Sequence, residues 1–150
     1  MNKKETFHSL MMYNNDHDLC SAVSKKDICE FEQKNKISLP QELKDLYEHF
    51  DGGEIFIPGT LVYGLIPSEK RKTVKEVNSK LTRSNFSIPV NYLIIAKLNF
   101  GDLICINLNE PFDVIQWDHE NDKKYCYWHS IYEWLDETIR DYRDYEAGAN

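Results

Sequence analysis

Between Ser38 and Gly53 the chain reads Ser-Leu-Pro-Gln-Glu-Leu-Lys-Asp-Leu-Tyr-Glu-His-Phe-Asp-Gly-Gly, a stretch with both ends of a helix written into it. Ser38 is placed to accept a hydrogen bond from a free amide of the first turn, and Gln41 to reach back to the Ser38 amide. Pro40 falls where a missing N–H costs nothing. Leu39, Leu43, Leu46, Tyr47 and Phe50 form an apolar stripe. Glu42, Lys44, Asp45, Glu48 and His49 take the remaining positions. Asp51-Gly52-Gly53 stops the helix, because glycine enters the left-handed region at little cost. Ile55-Phe56-Ile57 follows at once as a strand, so a short helix hands over to a sheet through a double glycine.

The flanking sequence extends the pattern in both directions. Upstream, Ser24 with Asp27 opens another helix, with Ile28, Cys29 and Phe31 on its apolar side. Downstream, Glu54 to Ile57 and Leu61 to Ile66 read as strands around the Pro58-Gly59 turn. Thr73 and Glu76 cap a modest helix near 74–83. Then Tyr92–Leu98, Leu103–Leu108, Val114–Asp118 and Tyr125–Trp128 alternate with short turns, and connections of that length demand antiparallel hairpins. Ser130 and Glu133 open a last helix with Ile131, Trp134, Leu135, Thr138, Ile139 and Tyr142 on its buried side. The expected fold class is α+β, a mostly antiparallel sheet of five or six strands flanked by helices. Residues 1–23 are a poorly specified N-terminal segment, 24–143 a single domain and 144–150 a polar tail.

Composition narrows the function. Hydrophobic residues make up 41% and aromatics 13%, enough for a packed core. The net charge of −7 disfavours nucleic acid as a partner for the whole molecule. Charge is uneven: Lys70–Arg83 holds six basic residues against one acidic, and Asp102–Asn150 four against twelve. The basic run reads as a solvated helix face with few interleaved aromatics for RNA. The acidic third reads either as solvated surface or as a steering surface for a basic protein partner. Cys20, Cys29, Cys105 and Cys126 have no metal or redox spacing. No signal sequence or membrane span is expected, and a reduced cytoplasm is the simplest address.

Bond-making chemistry finds little support. Asp118, His119, Glu120, Asp122, Cys126 and His129 form one dense polar group. It offers metal ligands or an acid/base pair, yet strand alternation sends Asp118 and His119 to opposite faces, and the turn explains Glu120 and Asp122. Gly52-Gly53 is better explained by a helix cap than by phosphate binding, and Ser130 by its capping partner than by nucleophilic chemistry. Trp117, Trp128 and Trp134 read as packing. No catalytic residue, metal or cofactor is therefore expected.

The ordered signals resemble the SUKH superfamily, the Smi/Knr-type proteins. The residues that carry the likeness are Ile28-x-x-Phe31-Glu32, Leu39-Pro40, the run to Phe50-Asp51-Gly52-Gly53, Ile88-Pro89, Ile94-Ile95-Ala96, Gly101-Asp102, Ile106-Asn107-Leu108, Val114-x-x-Trp117-Asp118-His119 and Ser130-Ile131-x-x-Trp134-Leu135. They span about residues 24–139. The resemblance implies an α+β fold and a non-catalytic binding role. Bacterial members are chiefly immunity proteins that neutralise toxin domains, often nucleases; fungal relatives are regulatory scaffolds in cell-wall glucan synthesis. The expected partner is a cognate toxin domain, with no direct nucleic acid and no membrane, and the chain a monomer or weak homodimer. The expected contact surface is Asp113, Asp118, Glu120 and Asp122 with Asp51 and Glu54, where acids imitate a polyanion, and Tyr125 and Tyr127 as anchors. A cell-wall regulatory scaffold and a metal-dependent hydrolase are the competing readings.

Overall fold

The computed structural model describes residues 3–149. Its elements are α1 (Lys3–Met11), a short 3-10 turn (Asn14–Asp16), β1 (Asp18–Leu19), α2 (Lys25–Asn35), α3 (Gln41–Tyr47), β2 (Gly53–Ile55), β3 (Thr60–Val62), α4 (Val74–Val77), α5 (Lys80–Arg83), β4 (Tyr92–Leu98), β5 (Leu103–Asn107), β6 (Val114–Asp118), β7 (Lys123–Trp128) and α6 (Ile131–Ala149). The strands form one antiparallel sheet in chain order from β1 to β7. It has seven strands rather than five or six. The additional one is β1, whose two residues pair with Glu54 and Gly53 and are too few to carry a periodic signal.

Cross-strand pairing sorts side chains onto two faces. Val62, Ala96, Ile104, Gln116 and Cys126 make one row, with Ile106, Val114 and Trp128 beside it. The Trp128 indole donates to Glu137 of α6 at 2.8 Å, so this face meets the C-terminal helix. The opposite face carries Leu61, Lys97, Leu103, Trp117 and Lys124 in one row and Ile94, Cys105, Ile115 and Tyr127 in the next. Residues 64–91 cross it. Asn78 of that segment fastens to β4, donating to the Ile94 carbonyl (2.9 Å) and accepting from the Ile94 amide (2.9 Å).

Several local expectations change in the structure. The organising helix starts at Gln41 without a side-chain cap: the Leu39 amide donates instead to Glu32 of α2 at 2.8 Å, and Gln41 turns forward to Asp45. Asp45 was placed with the water-facing residues, yet it is buried. It accepts from Tyr132 Oη (2.7 Å) and Gln41 Nε2 (3.0 Å), and pairs with Lys3 Nζ (3.0 Å), tying α1, α3 and α6 together. Burial pushes its pKa up, but those three hydrogen bonds outweigh it and hold the group below the ordinary aspartate value. The segment before residue 24 is not featureless. Phe7 and Leu10 of α1 are buried in the core, and Phe7 stacks on His49 at 4.0 Å. The helix expected over 74–83 is two single turns, since Ser79 caps α5 anew through the Thr82 amide. The last helix does not fade at Arg143 but runs to Ala149; of the expected tail only Asn150 lies outside the described residues, as do Met1 and Asn2 at the other end.

One polar contact fixes how the inserted segment sits. Arg71 and Asp51 form an ion pair at 2.8 Å with both side chains almost wholly buried. The guanidinium also donates to the Asp51 carbonyl (2.8 Å) and the Ile66 carbonyl (2.7 Å). The Asp51 carboxylate accepts from the Leu65 amide (2.7 Å) and the Ile66 amide (3.1 Å). A side chain at Gly64 would collide with the guanidinium, and one at Gly52 with the Val62 carbonyl and Arg71. Gly52 also holds φ at +74°, so glycine is required there twice over.

Breaking one half of this pair leaves the other half charged and buried. Arg71→Met is expected to lower unfolding stability by about 3–5 kcal/mol, whereas Arg71→Met with Asp51→Asn loses less than the two single losses added, because the uncompensated charge is gone. Urea unfolding of the three variants measures the coupling.

His17 supplies the pH dependence. Its Nε2 lies 2.9 Å from the Leu10 carbonyl, and its Nδ1 accepts from the Phe56 amide at 3.0 Å, so the neutral ring with Nε2–H satisfies both contacts. Burial lowers its pKa from the ordinary histidine value against smaller opposing contributions from Leu10 and Asp16. A lowered folded pKa means that the unfolded chain binds the extra proton first. Stability from this group is therefore full above about pH 6.5 and falls as pH drops through that value toward the folded pKa. Thermal melts between neutral and mildly acid pH are expected to show that loss, and His17→Gln to flatten it.

Candidate protein-interaction surface

The turn between β6 and β7 is built by two aspartates that serve it in different ways. Asp118 closes the turn on itself, accepting from the Glu120 amide (2.9 Å), the Asn121 amide (3.1 Å) and Asn121 Nδ2 (2.8 Å). Asp122 sits at φ +53° and reaches across to the inserted segment. It accepts from the Ser87 amide (2.8 Å), Ser87 Oγ (2.5 Å) and the Trp117 indole (2.9 Å). The Ser87 bonds, then the indole, hold its pKa down. Glu120 at the tip has no such duty and its side chain is 79% exposed. Tyr125 and Tyr127 stand on the next strand, 70% and 43% exposed. β7 is the sheet's outer strand, and Tyr127 stands on the face opposite α6, in the row of Ile94, Cys105 and Ile115.

Asp118, Glu120, Asp122, Tyr125 and Tyr127 share the β6–β7 hairpin, with the exposed Lys123 and Lys124 between the acids and the rings, and the other three expected contact residues lie elsewhere. Asp51 is buried against Arg71. Asp113 is buried at the start of β6, accepting from Asn107 Nδ2 (2.9 Å) and the Tyr92 hydroxyl (2.5 Å). Burial first, then that carboxylate, pushes the Tyr92 phenol well above its ordinary value. Glu54 lies on β2, far along the sheet from β7, half-buried and accepting from the Gly59 amide at 3.2 Å. Acids at turns were grouped as surface because local sequence does not register what folds over them.

The residue that sequence reading passed over is Asp102, taken as a turn residue after Gly101. It is buried beneath His119, accepting from its amide (3.1 Å) and lying 2.6 Å from its Nδ1, with Gln116 Nε2 at 2.8 Å. Burial raises its pKa, but the bonds from Gln116 and His119 outweigh that and keep it below the ordinary value. Asp102, Asp118 and His119 each offer one atom within 4.8 Å of the others. Every oxygen of both carboxylates already accepts a hydrogen bond. The rest of the polar group disperses. Cys126 turns to the opposite face toward Gln116 Oε1 (3.5 Å), and His129 Nδ1 meets the Tyr127 hydroxyl (2.8 Å).

The outer side of α6 adds negative charge. Glu133, Glu137, Asp141 and Asp144 follow one another at steps of four, four and three, one stripe of the helix. Burial, then the charge of Glu137, raises the Asp141 pKa above its usual value.

Asp102→Asn replaces a charged acceptor beneath His119 and is expected to cost about 1–3 kcal/mol in chemical denaturation. The same change should shift the His119 ring ¹⁵N resonances while leaving those of His17 in place.

Residues 22–137 match the model of the SMI1 / KNR4 family (SUKH-1). The fold resembles a crystal structure of a protein from Pseudomonas syringae pv. tomato at a TM-score of 0.67 and 14% sequence identity, covering 89% of this chain and 95% of that one. No curated protein sequence matches the chain.

Proposed function

The chain belongs to the SMI1 / KNR4 family (SUKH-1), and from that premise we propose that it is a non-catalytic binding protein, an immunity protein that captures and neutralises a cognate toxin domain in the cytoplasm. The observation that carries this reading is the exposure of Glu120, Tyr125 and Tyr127 on one hairpin at the end of the sheet, which also carries Asp118, Asp122, Lys123 and Lys124. Large aromatic rings next to a charged rim are the composition of an interface centre. The acidic stripe on α6 gives the surface the sign that a basic partner needs. A nuclease domain offers such a partner, since it presents positive charge to its own polyanionic substrate. Negative potential speeds the encounter and sets orientation, while the tyrosines supply the contact that holds. No helix of the described residues is long and apolar enough to cross a membrane.

Asp118 and Asp122 hold the turn, so they contribute charge without being free to move. Glu120 and the tyrosines are the groups that can adapt to a partner. A regulatory scaffold of cell-wall synthesis is the second reading, resting on the same family membership. A toxin gene beside this one selects immunity; its absence from every genome that carries the gene selects the scaffold.

The test is co-expression with the neighbouring toxin gene, followed by affinity measurement on the purified pair. Glu120→Lys with Tyr125→Ala is expected to weaken binding by about 2–4 kcal/mol, and affinity of the parent protein to fall with added salt. Unchanged affinity in that double variant, with no response to salt, would discard the acidic-edge version of the proposal.

A further inference from the structure

The sheet face away from α6 is not fully closed. Between β3, β4 and β5 and the inserted segment lies a groove of about 680 Å³. That is inside the range of roughly 300–1,000 Å³ typical of small-molecule sites. Tyr63, Ile94 and Leu103 line it from the sheet, and Val77 and Phe86 from the crossing segment. The apolar side of the groove is thus assembled from two layers, as ligand clefts commonly are.

Polar side chains outnumber apolar ones in its lining, and two of them, Lys72 and Lys97, are exposed lysines. Lys97 stands on β4 in the row between Leu61 and Leu103, in the midst of apolar neighbours. Among the described residues its ammonium has no hydrogen-bond or ion-pair partner, in contrast to Lys70, paired with Asp18 at 2.8 Å, and Arg71, paired with Asp51. A cation left unpaired on a half-apolar floor is an unspent interaction for an anion. His119 lines the same groove with Gly101. Both of its ring nitrogens already face carboxylates, Nδ1 on Asp102 at 2.6 Å and Nε2 at 3.9 Å from Glu120, so its ring is a wall of the groove and not an anion contact. The two carboxylates that line the groove are Glu69 and Glu76. Glu76 is committed to the Thr73 cap, accepting from the Thr73 amide (3.1 Å) and hydroxyl (3.0 Å). Glu69 belongs to the exposed loop at the outer rim.

We propose that this groove binds a small amphipathic carboxylate, its acid group on Lys97 and its apolar body between Tyr63 and Phe86. The chemistry follows from the lining. An aliphatic or aromatic body matches the two apolar walls, a single negative head matches the unpaired ammonium, and a cationic head would meet Lys97 as a like charge. The groove adjoins the β6–β7 turn at His119, and its ligand chemistry does not depend on the identity of any protein partner.

Phenylbutyrate is the probe, with phenylbutanol and phenylbutylamine as neutral and cationic analogues of the same body. Titration into ¹⁵N-labelled protein is expected to give saturable shifts confined to the groove residues, in the order carboxylate, alcohol, amine. Lys97→Met keeps the side-chain stem and removes the charge. It should weaken phenylbutyrate binding about fivefold, near the upper end for one partly exposed ion pair, and leave the alcohol unchanged. Lys123→Met, on the outer strand, should change neither. Equal affinity of the three probes, shifts mapping elsewhere, an unchanged affinity in Lys97→Met, or no saturation would each overturn the proposal.

Discussion

The buried pair between Arg71 and Asp51 is the constraint on which the arrangement of this molecule rests. Asp51 lies four residues beyond the end of α3, its carboxylate holds the amides of Leu65 and Ile66, and the guanidinium returns to the Asp51 and Ile66 carbonyls. Those bonds join the end of a helix, the exit of β3 and the entry to α4 in one place. The double glycine is shaped by the same contact, because Gly52 and Gly64 leave the space that the guanidinium fills. A buried pair of this kind is weak evidence for stability, since desolvation offsets most of its attraction. Its contribution here is geometric: it sets where the inserted segment crosses the sheet, and so where the groove has its wall.

The clamp also explains why the inserted segment needs so little regular structure. α4 and α5 are single turns, too short to be stable alone. They are held by caps at Thr73 and Ser79, by Asn78 on β4, and by Arg83, which donates to the Tyr92 carbonyl (2.8 Å) and the Pro89 carbonyl (2.9 Å). Ser87 completes the frame by gripping Asp122. A chain of polar contacts at intervals of a few residues takes the place of an apolar stripe.

The parts of the fold legible in the sequence are those specified locally. The caps at Ser24 and Thr73 form as their spacing implies, and β4 spans the range its apolar run defines. What was not legible depends on distant partners. Ser38 loses its capping role because Glu32 reaches the Leu39 amide first. α1 exists because Phe7 and Leu10 find the core, and β1 because Gly53 admits the backbone of Asp18 and Leu19 where a Cβ would block it. The same division governs the candidate surface. Glu120, Tyr125 and Tyr127 are exposed as their strand and turn positions imply. Asp51, Asp102 and Asp113 have no local mark distinguishing them from surface acids, since their guests (Arg71, His119 and Tyr92) come from elsewhere in the chain.

Burial therefore redistributes the charge that composition counts. The basic run from Lys70 to Arg83 commits Arg71 to Asp51, Arg83 to backbone carbonyls and Lys70 to Asp18, and leaves Lys72, Lys75 and Lys80 exposed. The acidic third surrenders Asp102 and Asp113 to the interior, yet keeps Glu120 at the hairpin tip and four carboxylates in one stripe on α6. Burial first, and only then the charge of Glu137, raises the Asp141 pKa, so repulsion within the stripe is the smaller cause. A sequence free to vary its helix surface would gain a few tenths of a kcal/mol per pair by alternating the signs. Arg140, next to Asp141 on the same helix, offsets part of that repulsion.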